Sequence, residues 1–212
     1  ETVKALNGAV ALPRDVKVAL RECGASDAYY EPQLGRISIC YELVDALATI
    51  FASEAKTQED ADQAGISIAN ATVFVFQQET ARALADLLAL PEPGKASDAP
   101  SGPASPLTSL SLDQLSTLVQ QASGQEGEQQ AVNGAQTLLA EWERPKVRAL
   151  LSGLAYWRSH PVDETRLSNI LCWVYGKNPA KFQDLVGDGT LSAERAEHCP
   201  GDYLAVATAW QP

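Results

Sequence analysis

One polar segment inside a long apolar helical pattern constrains this chain more than any other feature. From about Asp60 to Leu90, apolar residues recur at helical spacing, and the middle of the pattern is rich in β-branched and aromatic residues. A buried strand could also carry such residues, but the length of the pattern favours a helix. The polar segment Gln78-Glu79-Thr80-Ala81-Arg82 stands within it. Its chemistry decides which functions the chain can perform.

The spacing of this segment matches a known metal-binding pattern, but its residues differ from that pattern. A helix that carries H-E-x-x-H presents two His side chains on one face as zinc ligands, with the Glu beside them as general base. Here Glu79 occupies the middle position, while Gln78 and Arg82 occupy the two ligand positions. Gln is a weak neutral donor, and Arg is a permanent cation that cannot ligate a metal. We therefore expect no metal here, and Glu79 has no metal-bound water to activate.

Two structural hypotheses account for the segment without a metal. Arg82 lies at i+3 from Glu79 and at i+4 from Gln78, so a helix allows Arg82 to contact both side chains. In the first hypothesis, the guanidinium replaces the charge of a metal ion and keeps a buried Glu79 paired. In the second, the segment is an ordinary polar face on the helix surface. Burial of Glu79 distinguishes the two.

Composition limits the class of protein and its partners. The 212 residues are 45% hydrophobic, which suits one domain over residues 1–212 with a Pro/Ser/Ala-rich loop at 91–108. The net charge of −11 argues against binding to nucleic acid or to anionic lipid, and no apolar run approaches the ~20 residues of a membrane span. The chain begins at Glu1 and contains no Met, which indicates a processed or shortened form. We expect a periplasmic or secreted protein whose signal peptide has been removed.

The cysteines favour disulfides over a metal site. The four residues are widely spaced and form no C-x-x-C; they are Cys23, Cys40, Cys172 and Cys199. An even number in an exported protein predicts two disulfides. The sequence alone allows three pairings, of which we favour the local one, Cys23–Cys40 with Cys172–Cys199. Each bond would stabilise the fold by ~3 kcal/mol through chain entropy.

The periodicity along the chain predicts a mainly helical (α+β) fold. Two short strands at 15–22 and 36–40 flank a turn region at 27–35 and are expected to pair as a small N-terminal hairpin. A second polar turn is expected at 124–128, and Gly176 is expected to end a helix. Helices are predicted at 41–55, 60–90, 109–121, 128–143, 145–157, 163–175, 180–186 and 192–198, followed by an apolar tail.

Two segments are distinctive, Ile39-Cys40-Tyr41-Glu42-Leu43 and Asn169–Gly176. Together with several shorter segments, they resemble the DUF4344 putative metallopeptidases, which are secreted or periplasmic bacterial proteins. The resemblance extends from about residue 13 to 210. It implies a zincin-like arrangement around the 60–90 helix, and the family also places Cys at the four positions found here. The matching segments are Glu22-Cys23-Gly24, Ala28-Tyr29-Tyr30-Glu31-Pro32, Ile39-Cys40-Tyr41-Glu42-Leu43, Phe74-Val75-Phe76, Glu79, Ala83-Leu84-Ala85-Asp86, Leu90-Pro91, Tyr156-Trp157, His160, Asp163, Arg166 and Asn169–Gly176.

The resemblance also identifies where this chain departs from the family. Members typically carry His-Glu-x-x-His-Ala where this chain has Gln78–Ala83. The resemblance implies that the third ligand of relatives comes from a later acidic segment. An ungapped alignment places Asp98 there; an alignment with an insertion at 91–108 places Ser109 and Leu110 there instead. The resemblance further implies a role for His160, which is either structural or acts beside the reacting group in active relatives.

These observations lead to one favoured function and two alternatives. The favoured function is a catalytically inactive metallopeptidase-like protein, a pseudoprotease, that binds no zinc or other cofactor. It would bind a protein or peptide partner or regulate an active relative. The first alternative is a metal-independent hydrolase that uses Glu79 and His160 as an acid–base pair. The second is a structural secreted domain that has no binding groove.

Overall fold

The computed structural model describes residues 14–53, 55–87, 124–161 and 164–210. The predicted 91–108 loop and 109–121 helix lie outside the described residues, as do Asp98, Ser109 and Leu110. Within the described residues the fold is mainly helical with a small N-terminal sheet, as predicted. Its elements are β1 (Lys17–Arg21), β2 (Ala28–Glu31), β3 (Arg36–Cys40), α1 (Tyr41–Ala52), α2 (Gln58–Leu87), α3 (Gly124–Trp142), α4 (Pro145–Gly153), α5 (Ala155–Ser159), α6 (Glu164–Lys177), α7 (Asp184–Gly187) and α8 (Ala193–Trp210).

The sheet has the strand order β1-β3-β2, so β3 is the central strand. A hairpin is present, but it joins β2 to β3 in antiparallel register, whereas β1 pairs with β3 in parallel. The predicted pairing of 15–22 with 36–40 as a hairpin is therefore wrong. The error arises because 27–35 was predicted to be entirely turn, although its Tyr pair favours a strand over Ala28–Glu31. The turn itself is confined to the four residues that follow, where Gly35 has a φ of +56°.

The long helix α2 is the central element of the helical part. It spans 30 residues, and α1, α3 and the strand β2 all pack against it. Gly134 on α3 allows close approach, because a Cβ atom there would lie 3.1 Å from the Cβ of Phe74. The helix α1 follows β3 directly and buries Leu43, Leu47 and Ile50 at the predicted spacing.

The second half of the helical part is built on the α6–α8 pair. The helix α6 ends at Lys177, one residue beyond Gly176, where the sequence predicted its end. A Cβ atom at Gly176 would lie 2.1 Å from the main-chain oxygen of Cys199, so the residue also permits close helix packing. The helix α8 continues past Pro200, although a proline removes a helical hydrogen bond. Packing against α6 and the adjacent disulfide hold it there.

Two further element boundaries differ from the sequence predictions. The polar run that begins at Gly124 is helical rather than a turn, since Glu128 is 5% exposed and its carboxylate contacts the ammonium groups of Lys177 and Lys181. Interactions between distant segments thus override a locally polar pattern. The short helix predicted at 180–186 is shifted to Asp184–Gly187.

Both disulfides form with the favoured local pairing. Cys23 bonds to Cys40, which joins the end of β1 to the end of β3, and Cys172 bonds to Cys199, which joins α6 to α8. None of the described helices combines the length and apolar character that a membrane crossing requires.

Candidate functional site

The polar segment of α2 is buried, not on the surface. Every residue from Phe74 to Glu79 is buried, with Gln78 7% exposed and Glu79 only 1% exposed. Six consecutive buried residues require packing partners around the whole helix at this level, and β2 and α5 provide part of that enclosure. The hypothesis of an ordinary polar surface face therefore does not hold for Glu79.

The Glu79 carboxylate is contacted from three elements. The main-chain N–H of Tyr30 on β2 donates a hydrogen bond of 3.0 Å to Oε2. On α2 itself, Nε of Arg82 lies 3.4 Å from Oε1, which is the predicted i,i+3 pair. At the C-terminal end of α5, Nε2 of the capping residue His160 lies 3.7 Å from the same oxygen. One buried carboxylate thus connects the sheet, the long helix and the second half of the chain.

The two carboxylate oxygens differ in how well they are satisfied. Among the described residues, no group donates a hydrogen bond of ordinary geometry to Oε1 of Glu79. The hydroxyl of Tyr156 is likewise buried without a well-formed hydrogen bond, although it lies near enough to stabilise the carboxylate anion. The Arg82 guanidinium thus lies beside Oε1 at a slightly long distance, without forming a hydrogen bond of ordinary geometry. Oε1 of Glu79 is therefore stabilised mainly by the charge of Arg82, not by a hydrogen bond.

Burial controls the protonation of Glu79. Loss of solvation raises the pKa of Glu79 from 4.5 to about 7, because a carboxylate is disfavoured where water is excluded. The Arg82 guanidinium, the Tyr30 N–H and the Tyr156 hydroxyl each lower this pKa, and the charge of Asp27 raises it. Without its cation the carboxyl would be still less acidic. The Glu79 carboxyl therefore binds and releases its proton near neutral pH.

The hydrogen bonds of His160 determine which ring nitrogen faces Glu79. Its Nδ1 lies 3.0 Å from the main-chain oxygen of Tyr156, and a carbonyl oxygen can only accept, so Nδ1 carries a proton. The ring also stacks on Tyr156, with 4.5 Å between centroids. Burial and, next, the charge of Arg82 lower the pKa of His160, which favours the neutral ring. A neutral His160 then presents Nε2 to Glu79 as an acceptor, suited to a proton on the carboxyl.

A second contact fixes the strand beside the helix. The hydroxyl of Tyr30 donates a hydrogen bond of 2.9 Å to Oδ2 of Asp86, one of the last described residues of α2. Arg14 also contacts Asp86, at 3.1 Å. Tyr30 is thus attached to α2 by its main chain at Glu79 and by its side chain at Asp86. These two bonds hold β2 along the half of α2 that carries the polar segment.

The donor atoms around Glu79 do not fit a catalytic zinc ion. Such an ion needs about three protein ligands and an open position. Arg82 places a cation, not a lone pair, beside Oε1, and this cation opposes the approach of a metal. Among the described residues, the one group of three or more potential metal-binding side chains is elsewhere, at Cys23, Cys40 and Glu42. There the sulfur atoms form a disulfide, and Glu42 accepts hydrogen bonds from two main-chain N–H groups.

The structure brings together most of the residues that the sequence singled out. Glu79, Arg82 and His160 form one cluster, while the possible third-ligand positions lie outside the described residues. The sequence analysis did not identify Tyr156 or the Tyr30 N–H as part of the site. Tyr156 precedes His160 by four residues, one helical turn, so helical spacing could have indicated it. The main-chain N–H of Tyr30 could not be predicted, because the pattern of side chains in a sequence does not indicate which main-chain group of a distant strand will act as a donor.

Comparison with known proteins identifies the family. The family model DUF4344, described as "Putative metallopeptidase", matches residues 1–212, so the chain belongs to this family. A search of curated proteins and a search of solved structures each found no significant match.

Proposed function

We propose that this protein, a member of a putative metallopeptidase family, is a pseudoprotease. It binds no catalytic zinc and acts by binding a protein or peptide partner. The observation that carries the proposal is the guanidinium of Arg82 at 3.4 Å from a carboxylate that is 1% exposed. The Arg82 guanidinium, which is part of the chain itself, supplies the positive charge that a metal ion would otherwise supply. The partner is either a peptide held beside Gln78 or an active relative.

Metal content and peptide cleavage test this function directly. Purified protein is incubated with zinc, washed, and assayed for bound metal and for cleavage of casein, alongside the Glu79→Gln variant. We expect no zinc retained at one equivalent and no cleavage above that of the variant. Cleavage that requires zinc and disappears in Glu79→Gln would overturn the proposal.

A second candidate function is supported by the 3.7 Å separation of Glu79 and His160. Burial raises the pKa of Glu79 to about 7 and lowers the pKa of His160 from its ordinary 6.5, so the carboxyl can hold a proton while the imidazole is neutral, and such a pair can serve as acid and base without metal. Such an enzyme would hydrolyse its substrate in the presence of a chelator and lose this activity in His160→Gln. A peptide-binding protein would keep its binding in the same variant, so His160→Gln separates the two functions.

We also propose a periplasmic or secreted location for the protein. The two disulfides support this location, because such bonds form and persist in an oxidising environment. Alkylation of the protein immediately after cell lysis tests this. We expect no cysteine to react before reduction and four to react after it, as the chain contains four.

A further inference from the structure

The strand β1 is an edge strand whose outer side has no described neighbour. The sheet order is β1-β3-β2, so β1 and β2 are both edges. The outer edge of β2 faces α2, where the Tyr30 N–H donates to Glu79. No described strand or helix is paired with the outer edge of β1 in this way. Edge strands of this kind can accept a further strand from another chain.

The main chain of β1 shows which groups are available for such pairing. The N–H of Lys17 donates to the main-chain oxygen of Gly35, so Lys17 directs its polar groups toward β3. In a parallel ladder this direction alternates along the strand, and Ala19 and Arg21 therefore also face β3. The N–H and C=O groups of Val18 and Leu20 then point to the outer side. These two residues can pair with an added strand.

The side chains of the same two residues form an uncovered apolar surface. Val18 pairs with Ile37 and Leu20 pairs with Ile39, so all four side chains lie on one face of the sheet. The helices cover that face at Ile37 and Ile39, which are 2% and 3% exposed, but Val18 is 38% exposed and Leu20 is 56% exposed. An added strand with apolar residues at alternate positions would extend this face.

Charge on the other face favours one kind of partner. Lys17 and Arg21 alternate with Val18 and Leu20, so the strand carries two positive charges and no negative one, in a chain with a net charge of −11. A second copy of β1 paired in antiparallel fashion about Ala19 would set Lys17 opposite Arg21, and like charges in that position are destabilising. A strand with carboxylates at alternate positions would instead pair favourably with both.

We propose that β1 is a docking site for an extended segment of a partner protein in which apolar and acidic residues alternate. Main-chain hydrogen bonds to Val18 and Leu20 supply the pairing, their side chains contact the apolar residues, and Lys17 and Arg21 contact the carboxylates. The site lies on the opposite edge of the sheet from Glu79. It therefore does not depend on whether Glu79 takes part in catalysis or in peptide binding.

Fluorescence anisotropy with labelled synthetic peptides of about nine residues tests this proposal, since that length covers β1 with a margin. The probe alternates Val and Glu, and the comparison peptides have the same composition in two blocks or replace Glu by Lys. We expect the alternating acidic peptide to bind, and Leu20→Glu to weaken it about tenfold or more by placing a carboxylate among apolar groups. The double variant Lys17→Glu, Arg21→Glu should prefer the Val–Lys peptide.

Leu34→Glu is the matched control, because Leu34 is 59% exposed but lies in the turn after β2. It should bind like the unaltered protein, and the variants in β1 and the Leu34 control should all keep the same thermal unfolding temperature within a few degrees. Equal binding of the block peptide, unchanged binding by Leu20→Glu, or no binding at millimolar peptide each overturns the proposal. Self-association that Leu20→Glu abolishes would also overturn it, by making a second copy the partner.

Discussion

The buried carboxylate of Glu79 makes the stability of this protein depend on pH in a direction opposite to that of an ordinary ion-paired acid. Its pKa in the folded protein is about 7, against an ordinary value of 4.5. The folded state therefore binds this proton more tightly than the unfolded state does, and ionisation of Glu79 opposes folding. Its contribution to stability is fully present below pH 4.5 and is lost as the pH rises through 7. The variant Glu79→Gln removes the charge and keeps the shape.

The size of the effect follows from the difference between the two pKa values. At about pH 8 the unfavourable contribution of the charge to the free energy of unfolding is about 3 kcal/mol, and at about pH 5 it is about 1 kcal/mol. The stability of Glu79→Gln relative to the unaltered protein should therefore increase by about 2 kcal/mol between these two pH values. His160 acts in the opposite direction, because its lowered pKa makes the folded state lose stability as the pH falls. His160 is present in both proteins, so the comparison measures Glu79 together with the change in the pKa of His160 that follows when its neighbouring carboxyl is replaced.

Urea unfolding, followed by circular dichroism at both pH values, measures this difference, since the free energy of unfolding is obtained by linear extrapolation. The disulfides remain oxidised throughout. Glu59→Gln, at an exposed position of the same helix, controls for the loss of one carboxylate. If Glu79→Gln and the unaltered protein differ by the same amount at both pH values, the carboxyl does not titrate abnormally and the argument from burial fails.

Three further changes test the contacts around the site and the core. Arg82→Ala removes the cation beside the buried carboxylate and should destabilise the protein by about 1–3 kcal/mol above pH 7, less at acid pH, in the same urea assay. Gly176→Ala should lower the unfolding temperature by roughly 5–10 degrees, on the order of 2–3 kcal/mol, because its Cβ would overlap the main chain of Cys199. Gly65→Ala is its control on an exposed helical position with no neighbour within 4 Å, and should stabilise by about 0.5–1 kcal/mol. Replacing both Cys172 and Cys199 by Ala opens a loop with a sequence separation of 27 and should cost about 3.5 kcal/mol, measured by calorimetry.

Local patterns predicted the helices of this protein better than its sheet, for a physical reason. The apolar spacing of α1 and α2 is produced by burial of one continuous segment, so it can be recognised within that segment. The direction in which β1 pairs with β3 depends instead on the path of the chain between the two strands. The contact between Lys17 and Gly35 at the start of this pairing is made by main-chain atoms, which are the same for every residue type. Side-chain periodicity is the same for parallel and antiparallel partners. The hairpin was therefore assigned to the wrong pair of strands.

The same distinction applies to the site. The i,i+3 spacing of Glu79 and Arg82 gave their contact correctly, because both residues lie on one helix. The contact of Glu128 with Lys177 and Lys181 joins α3 to residues more than forty positions away, and nothing in its local segment indicated it. The polar run around Glu128 was taken for a turn for this reason. A buried charge is recognised from sequence only when its partner is close in the chain.

The burial of Glu79 and the charge of Arg82 are linked, because a buried carboxyl ionises more easily when a cation lies beside it. A carboxylate that is 1% exposed, with one well-formed hydrogen bond from Tyr30, is costly to ionise unless a cation lies beside it. A neutral residue at position 82 would leave the acid protonated at neutral pH, and His160 alone would then accept its hydrogen bond. A guanidinium lowers the pKa of Glu79, yet Arg82 is 36% exposed and so retains part of its hydration. Glu79 and Arg82 thus form one electrostatic unit, in which a fixed cation lies beside a buried acid and lowers its pKa.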